Sequence, residues 1–352
     1  MSLLNTSLKE EFIEIAKKII EKQISQQDQY HIEFTKEQQQ IMLEGTVNHL
    51  LYLRLAVTLN EDKVYLYYVD WIYALLSNHM GFMGEETIKS YLTDHYQYMF
   101  YYMDDVFDDD KSLHAKTLLT QAIQTTLDGN AEIFRKDYIH VGGYIENKQM
   151  LLHHLLEKDT LTAGMYVKEL FRSIPLEELY TDVIQDVMRE VGELWHQNKI
   201  SVAQEHYCTA ATQTIMSQFY EILLQHPRRG KKVVIACPGT ELHELGARIL
   251  SDLFEHNGWD SIFLGAAVPV QDIIDVIETD SPQLCCLSVC MPQGLPLCFS
   301  AVKQIKEQFP KLIVSVGGRA FHDMENVAEK MGADIYSETF PQLLRKMRAL
   351  GT

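Results

Sequence analysis

A histidine with an acidic neighbour forms the part of this sequence best suited to hold a metal ion. Glu241 and His243 stand in the segment CPGTELHELG, residues 237–246. A nearby carboxylate can accept the proton of one ring nitrogen, and the other nitrogen then becomes a stronger metal ligand. Gly246 would let a bulky ring approach the backbone. Because an isolated loop histidine is usually a surface residue, this pattern needs support from the rest of the chain.

Two further motifs follow along the chain at spacings that suggest a composite site. After Gly246, 41 intervening residues lead to Ser288-Val289-Cys290, and another 26 lead to Gly317-Gly318. Each motif directly follows a short apolar segment. Ligands of parallel sheets bind beyond the carboxyl ends of the strands, so we expect the three motifs to lie together.

Strands that alternate with helices must position these motifs. Residues 231–352 contain the short segments KKVVIACP, DSIFLG, LCCLSV, LIVSVGG and DIYS. Amphipathic segments of about 10–15 residues separate several of them, which is typical of βαβ units. This alternation predicts a doubly wound, flavodoxin-like parallel sheet.

Two helical blocks precede the predicted sheet. Residues 1–145 repeat apolar residues at helical spacing, and a fourth helix is predicted from Glu85 to Phe107. Residues 146–227 predict four helices with short connections, the last from Val202 to His226, which is typical of a bundle. We therefore expect a multidomain α and α/β protein with an all-helical domain (1–145), a four-helix bundle (146–227) and the sheet domain (231–352).

The composition excludes several classes of protein. The chain has 352 residues and a formal net charge of −18, which disfavours nucleic-acid binding through phosphate neutralisation. No apolar stretch is long enough for a membrane helix, and the acidic, amphipathic start is unlike a signal peptide. All six cysteines lie after residue 200 without a CxxC pair. We expect a reduced, cytoplasmic protein with neither nucleic-acid nor membrane partners.

The three loop motifs together resemble the fingerprint of the cobalamin-binding domain family, D-x-H-x-x-G, then S-x-L, then G-G. The resemblance covers about residues 231–350 and implies that His243 is the lower axial ligand to cobalt, with Glu241 as its hydrogen-bonding partner. Glu241 stands where most of the family has Asp, although light-sensing members also show Glu, and Cys290 replaces Leu. The further cofactor-binding residues implied by the resemblance are Leu242, Gly246, Ser288, Val289, Gly317 and Gly318, of which Ser288 and the two glycines make room for the nucleotide tail.

The helical bundle carries a second resemblance. The string WHQNKISVAQEH, residues 195–206, contains W-x9-E-H, which resembles the cap of the light-sensing adenosylcobalamin regulators of the CarH/LitR type. The resemblance implies that Trp195 covers the adenosyl group and that Glu205 and His206 contact it. His196 would take the upper axial position on cobalt after light has removed that group. Trp195 could instead be an anchor of the bundle core.

The N-terminal block is less informative. It lacks the basic helix-turn-helix of a MerR-type DNA-binding domain and faintly resembles globin-like sensor domains. Its aromatic and histidine residues could line a pocket for a bilin or a haem, with His79 or His95 as haem ligand, or could form an ordinary core. These residues are Tyr65, Tyr68, Trp71, Tyr73, His79, His95, Tyr96, Tyr98, Phe100, Tyr101 and Tyr102. No cysteine precedes Cys208, so a thioether-linked bilin in this block is excluded.

We therefore expect a sensory protein rather than an enzyme. It would bind adenosylcobalamin, or another cobalamin, and respond to light as a homo-oligomer or through a protein partner. The alternative is a corrinoid carrier of a methyltransferase system, which shares the bundle and the cobalamin domain. A mutase subunit is disfavoured because the chain lacks the large barrel domain that such chemistry requires.

Overall fold

The protein is described by a computed structural model over residues 6–26, 34–129, 136–223, 225, 227–322 and 324–350. The chain forms two compact units. Unit 1 comprises Met1–Phe134 together with Pro292–Ser300, and unit 2 comprises Arg135–Met291 together with Ala301–Thr352. Within the described residues, no helix combines the length and the apolar character needed to cross a membrane.

The N-terminal part of unit 1 is built from helices, as the sequence predicts. They are α1 (Thr6–Ile24), α2 (Lys36–Leu59), α3 (Asp62–His79), α4 (Glu85–Phe100), α5 (Met103–Val106) and α6 (Asp109–Asp128). A capping box fixes the start of α2, because Thr35 and Gln38 satisfy each other's backbone N–H groups. Asn60, in the left-handed conformation, ends the same helix.

Two predicted helices are shorter than the sequence suggests. The prediction of one helix from Glu85 to Phe107 is wrong, since α4 ends at Phe100 and a turn separates it from α5. At this turn the Tyr102 N–H bonds to the Met99 carbonyl, a tightening from the i−4 to the i−3 pattern. The same tightening, from Gln218 to Ile215, follows Ser217, where the helix that begins at Val202 ends.

The helices of the predicted bundle begin unit 2. They are α7 (Ile145–Leu156), α8 (Thr160–Leu170), the continuous run of α9 (Leu176–Glu178), a π-helix (Leu179–Ile184) and α10 (Gln185–His196), then α11 (Val202–Ser217) and the short α12 (Tyr220–Leu223). Ser201 and Gln204 form a capping box at the start of α11. Fully buried Lys148 donates to the carbonyls of Tyr138 and Val141 at 2.8 and 2.6 Å, which ties the preceding loop to α7.

A five-stranded parallel sheet follows, in the order β2-β1-β3-β4-β5. Its strands are β1 (Lys232–Pro238), β2 (Asp260–Val268), β3 (Leu284–Ser288), β4 (Ile313–Gly317) and β5 (Ile335–Tyr336). The helices between and after them are α13 (Leu245–His256), α14 (Val270–Asp280), α15 (Leu295–Gln308), α16 (Glu325–Lys330) and α17 (Phe340–Ala349). The prediction of a doubly wound parallel sheet is confirmed.

The strand order brings the predicted motifs to one edge of the sheet. β1 lies between β2 and β3, and β3 also pairs with β4 so that Ser288 is opposite Gly317. The chain changes direction across the sheet between β2 and β3, which makes the ends of β1 and β3 the switch point where such sheets bind ligands. One hydrophobic core in unit 2 includes bundle residues such as Tyr180 and Phe219 and sheet-domain residues such as Phe254 and Phe340.

Candidate functional site

Glu241 and His243 form the hydrogen-bonded pair that the sequence suggests. His243 Nδ1 lies 2.6 Å from Glu241 Oε1, and the same oxygen accepts the His243 backbone N–H at 2.9 Å. The Glu241 side chain is 1% exposed, whereas that of His243 is 46% exposed. A carboxylate on Nδ1 sets the tautomer so that Nε2 carries the lone pair. The pair therefore presents one imidazole nitrogen, ready for a metal, at the surface of the loop.

The second oxygen of Glu241 connects this loop to the end of β3. Glu241 Oε2 accepts the backbone N–H groups of Cys290 and Met291 at 2.7 and 2.8 Å. The additional methylene of Glu relative to Asp thus does not prevent the hydrogen bond to His243. It also gives the carboxylate the reach to hold two loops with one side chain. The sequence motif alone did not identify the backbone partners at residues 290 and 291.

Glu241 and His243 stabilise each other's charged forms. Burial acts to raise the pKa of Glu241, but its hydrogen bond to His243 and the histidine charge outweigh burial and lower the pKa. The hydrogen bond to Glu241 raises the pKa of His243 against the effect of burial, and Glu205 contributes in the same direction. Glu205 lies on α11, and Gln213 of the same helix donates to Glu244 Oε1 at 2.9 Å, so the bundle lies beside the His243 loop.

The loop around His243 leaves space for a flat ligand. A Cβ added to Gly246 would meet no atom within 4 Å, and Leu242 is 70% exposed beside the histidine. An exposed imidazole with an anchored Nδ1, next to open space and an apolar side chain, fits the lower face of a corrin ring. His243 would be its cobalt ligand in that arrangement.

The glycine motif packs against the end of β3. Gly318 has a φ of +100°, and an added Cβ would lie 2.3 Å from the carbonyl oxygen of Val289. The Val289 N–H donates to Gly317, and its carbonyl accepts from Ala320. The Val289 side chain is fully buried, so its contribution to the site is through its backbone. Ser288 is partly exposed beside this loop, where the sequence placed it.

The predicted cap residues lie on α10 and α11. Trp195 is partly buried and packs against the core of unit 2, while His196 is 6% exposed within the bundle. Glu205 Oε1 accepts from Thr209 at 2.9 Å, and the Glu205 side chain is 20% exposed. His206 is 74% exposed and its Nδ1 lies 2.5 Å from Glu205 Oε2. The contacts of these four residues with an adenosyl group remain a prediction.

Charged side chains of the bundle also influence Cys290, just after the end of β3. Cys290 is the partly exposed cysteine, whereas the other five are buried. Burial raises the pKa of Cys290 to about 12, with Glu241 and Glu205 adding to the effect and Arg319 and Arg189 opposing it. Charged groups of both α10 and α11 therefore act on Cys290. The region between these two helices and the ends of β3 and β4 is called the cleft below.

Two polar contacts between bundle and sheet domain were not identified from the sequence. Arg319 Nη2 donates to Glu193 Oε2 at 3.1 Å, and Gln213 Nε2 donates to Glu244 Oε1 at 2.9 Å. Arg319 directly follows the glycine motif, and Glu193 precedes Trp195 by two residues. A charged residue beside each motif was the available signal, but its partner lies far away in the sequence.

The aromatic residues of the N-terminal block divide into two groups. Tyr65, Tyr68 and Tyr96 are at most 2% exposed, and they surround His49, whose ring lies 4.8 Å from Tyr68 and 5.1 Å from His95. His49 was not identified from the sequence. The exposed residues of the set include Tyr101, at 67%, and Phe100, at 37%. The inner rings thus pack on one another as a core, and a bound pigment remains a prediction.

Comparisons with known families agree with the motifs. Residues 231–344 match the model of a B12 binding domain, and residues 148–220 match a second model of a B12 binding domain. The resemblance to cobalamin-binding domains with a CarH-type helical cap is thereby confirmed. These domains support a cobalamin or other corrinoid as the cofactor.

Relatives of two kinds share this region. The chain is 25% identical over 170 residues to the HTH-type transcriptional repressor CarH of Myxococcus xanthus, covering 48% of this chain and 56% of that protein. It is 24% identical over 200 residues to trimethylamine corrinoid protein 1 of Methanosarcina mazei, covering 54% of this chain and 90% of that protein. The structure of the Methanosarcina barkeri monomethylamine corrinoid protein aligns at 18% identity with a TM-score of 0.49, over 58% of this chain and 98% of that one. The match thus spans about half the length of the repressor.

Proposed function

We propose that the protein is a cobalamin-dependent photoreceptor, because the helical block that matches a B12 binding domain also contains the W-x9-E-H motif resembling that of light-sensing regulators. It binds adenosylcobalamin between the helical cap and the sheet domain, and light changes its conformation or oligomeric state and hence its binding of a protein partner. It acts as a cytoplasmic sensor and not as an enzyme. The observation that carries the proposal is the contact of α11, which bears Glu205 of the W-x9-E-H motif, with the His243 loop, where Gln213 Nε2 donates to Glu244 Oε1 at 2.9 Å.

Each residue of the site has a role in this proposal. His243 supplies the lower ligand to cobalt, and Glu241 holds the imidazole in the required tautomer. Trp195 covers the adenosyl group, while Glu205 and His206 offer it polar contacts. Adenosylcobalamin supplies a cobalt–carbon bond that visible light cleaves. His196 would hold the upper cobalt face once the adenosyl group has left, and the accompanying movement of the cap would shift the protein between two arrangements.

A carrier of corrinoid-bound methyl groups is the second candidate. The observation in its favour is the match over 90% of the length of a trimethylamine corrinoid protein. A carrier must expose the upper cobalt face to a partner methyltransferase. The resemblance assigns Trp195 and the Glu205–His206 pair to that face, and their place on α10 and α11 of the bundle favours the photoreceptor instead.

An absorption experiment separates the two candidates. The protein is reconstituted in the dark with adenosylcobalamin or methylcobalamin, and spectra are recorded before and after green light. We expect a stable dark adenosylcobalamin complex that converts on illumination to a bis-histidine-type spectrum, and the His196→Ala variant should lack the converted form. Preference for methylcobalamin without protein-specific conversion would favour the carrier. Additional Soret or far-red bands in the purified protein would identify a bilin or haem in the N-terminal block.

A further inference from the structure

The ion pair between Glu193 and Arg319 spans the cap and the sheet domain beside the proposed cofactor cleft. Arg319 Nη2 donates to Glu193 Oε2 at 3.1 Å, and Gln197 Nε2 donates to Glu193 Oε1 at 2.9 Å. The Glu193 side chain is 1% exposed, and that of Arg319 is 35% exposed. A buried carboxylate that loses its cationic partner is strongly disfavoured. Separation of the cap from the sheet domain therefore has an electrostatic cost at this point.

The arginine extends from a firmly held backbone. Gly318, directly before it, lies so close to Val289 that an added Cβ would be 2.3 Å from the Val289 carbonyl oxygen. The backbone on both sides is tied to Val289, through the Gly317 carbonyl and the Ala320 N–H. Arg319 thus forms a fixed point at the carboxyl edge of the sheet.

The glutamate sits on the helix that carries the upper face of the site. Glu193, Trp195 and His196 all lie within the last turn of α10, so a contact that holds Glu193 also positions the other two. Movement of this turn away from Arg319 would carry Trp195 away from the cleft.

The cap and the sheet domain also meet at a place remote from the cleft. There Phe219 and Tyr180 of the cap share the core with Phe254, which lies near the end of α13 farthest from His243. Nine residues of helix, about 13 Å, separate Phe254 from the start of α13. An opening movement would preserve this apolar seam as a pivot and would break the ion pair near the cleft.

We propose that Glu193 and Arg319 are positioning residues that clasp the cap over the cleft and thereby control access to the cofactor. The inference rests on the proposed cofactor site but not on its response to light. Release of the clasp opens the cleft between α10 and the ends of β3 and β4. In the holoprotein the same clasp slows the exchange of cobalamin.

Cys290 provides a direct probe of the clasp without any cofactor. It directly follows Val289, against which Gly318 packs, and it is the partly exposed cysteine among six. The rate of its modification by a maleimide, followed by mass spectrometry, measures the opening of the cap. We expect Glu193→Gln and Arg319→Gln each to accelerate labelling of Cys290 about tenfold, equivalent to about 1.4 kcal/mol. The Glu193→Gln/Arg319→Gln double variant should label no faster than either single variant, because both changes remove the same contact.

The matched control removes an ion pair away from the cleft. Lys232 Nζ pairs with Asp280 at 3.0 Å at the beginning of β1, the opposite edge of the sheet. The Asp280→Asn variant should label Cys290 at the wild-type rate. If Glu193→Gln does not fold, Arg319→Gln, which removes the positive charge, is compared with Arg319→Lys, which keeps it. Wild-type labelling rates in the folded Glu193 and Arg319 variants, or additive effects in the double variant, would overturn the clasp.

Cobalamin exchange completes the test and separates it from the proposed function. In holoprotein kept dark, the Glu193→Gln variant should release adenosylcobalamin about tenfold faster than the wild type, again equivalent to about 1.4 kcal/mol. If neither wild type nor variants bind cobalamin, the proposed function fails while the labelling rates still decide the clasp. If binding is normal and labelling is unchanged, the clasp fails alone.

Discussion

At the scale of single residues, Glu241 organises the site through four hydrogen bonds. It holds the ring and the backbone of His243 with one oxygen and the backbone N–H groups of Cys290 and Met291 with the other. The carboxylate therefore couples the orientation of a prospective metal ligand to the position of the neighbouring loop. A neutral residue of the same size can fill the space but cannot serve all four donors.

Removal of the ligand itself gives the first prediction. The His243→Ala variant should retain cobalamin more weakly, by more than about tenfold, because it lacks the imidazole that would replace the lower base. Equilibrium dialysis of the cofactor with dark protein measures the affinity. His153→Ala, an exposed position on α7, serves as the control. Equal affinity in the His243 and control variants would show that cobalamin binds with its own base in place.

Neutralisation of the partner gives the second prediction. The Glu241→Gln variant should lower cobalamin affinity by about 10- to 100-fold, since His243 loses its anionic acceptor. Its free energy of unfolding should also fall by about 1–3 kcal/mol, because the buried backbone donors at residues 290 and 291 lose a charged acceptor. Titration with cobalamin and urea unfolding measure the two effects. Exposed Glu278→Gln on α14 should change neither quantity.

At the scale of the elements, the loops after β1, β3 and β4 differ in what fixes them. The β4 loop is held by close backbone contact at Gly318, whereas the first turn of α13 at Gly246 faces open space. Both positions are glycines in the sequence motif. The structural reasons for the two glycines are therefore opposite, and substitutions should separate them.

This contrast gives the third prediction. The Gly318→Ala variant should lose more than about 1 kcal/mol of unfolding free energy, since it combines a positive φ with a backbone clash. The Gly246→Ala variant should change the unfolding free energy by less than about 0.5 kcal/mol. It should nevertheless bind cobalamin more weakly, because the methyl group enters the space assigned to the ring. Normal cobalamin binding by Gly246→Ala would contradict that assignment.

The seam between α13 and the cap carries a titratable group, which gives the fourth prediction. Burial raises the pKa of Asp252 to about 7, and the charge of Glu255 acts in the same direction. Arg248 and the Tyr180 hydroxyl act to lower it. Between about pH 4 and 7 the native carboxyl keeps a proton that the unfolded chain has released, so this group makes stability fall as pH rises. The decline ends once the pH has risen through the native pKa of about 7.

The Asp252→Asn variant should abolish this contribution. Its unfolding free energy, relative to that of the wild type, should increase between pH 5 and pH 8. Urea unfolding at both pH values measures the difference, and exposed Asp272→Asn is the control. A constant difference between variant and wild type at the two pH values would show that Asp252 titrates normally.

At the scale of the whole molecule, the two units respond to acid in opposite ways through their buried groups. In unit 1, burial lowers the pKa of His95 to about 4 and that of His49 well below its usual value. The unfolded chain binds protons there as pH falls from about 6.5 to 4, while the native imidazoles remain neutral. In the same pH window, a fall in pH therefore lowers the stability of unit 1 through these histidines and raises that of unit 2 through Asp252.

The fifth prediction concerns this difference. The unfolding free energy of unit 1 should fall as pH falls from about 6.5 towards 4, and this fall should be smaller in the His95→Gln variant. Hydrogen exchange followed by mass spectrometry reports on α2 and α4 separately from the sheet, so each unit is measured in the intact chain. Equal acid dependence of α4 in wild type and variant would contradict the assignment.

The sequence was sufficient for the elements whose signals are local. The strand–helix alternation and the Glu241–His243 spacing depend on neighbours in the chain, and the structure has both. The ends of α4 and α11 were placed too late, because apolar periodicity continues through the turns that end them. The ion pair of Glu193 with Arg319 joins residues separated by 126 positions, and no local pattern encodes such a partner. His49 was missed for the same reason, since its ring contacts come from other helices.

The parallel sheet also determines at which stage of folding the site can form. A parallel pair cannot begin as a hairpin, because each pair needs a long crossover. Glu241 meets its backbone partners 49 and 50 positions later, and the glycine loop later still. During synthesis the cap leaves the ribosome before the sheet domain, and its local helices form before the distant contacts of the sheet. Cobalamin should therefore join a finished fold, because the loops that would hold it come together only after the sheet has formed.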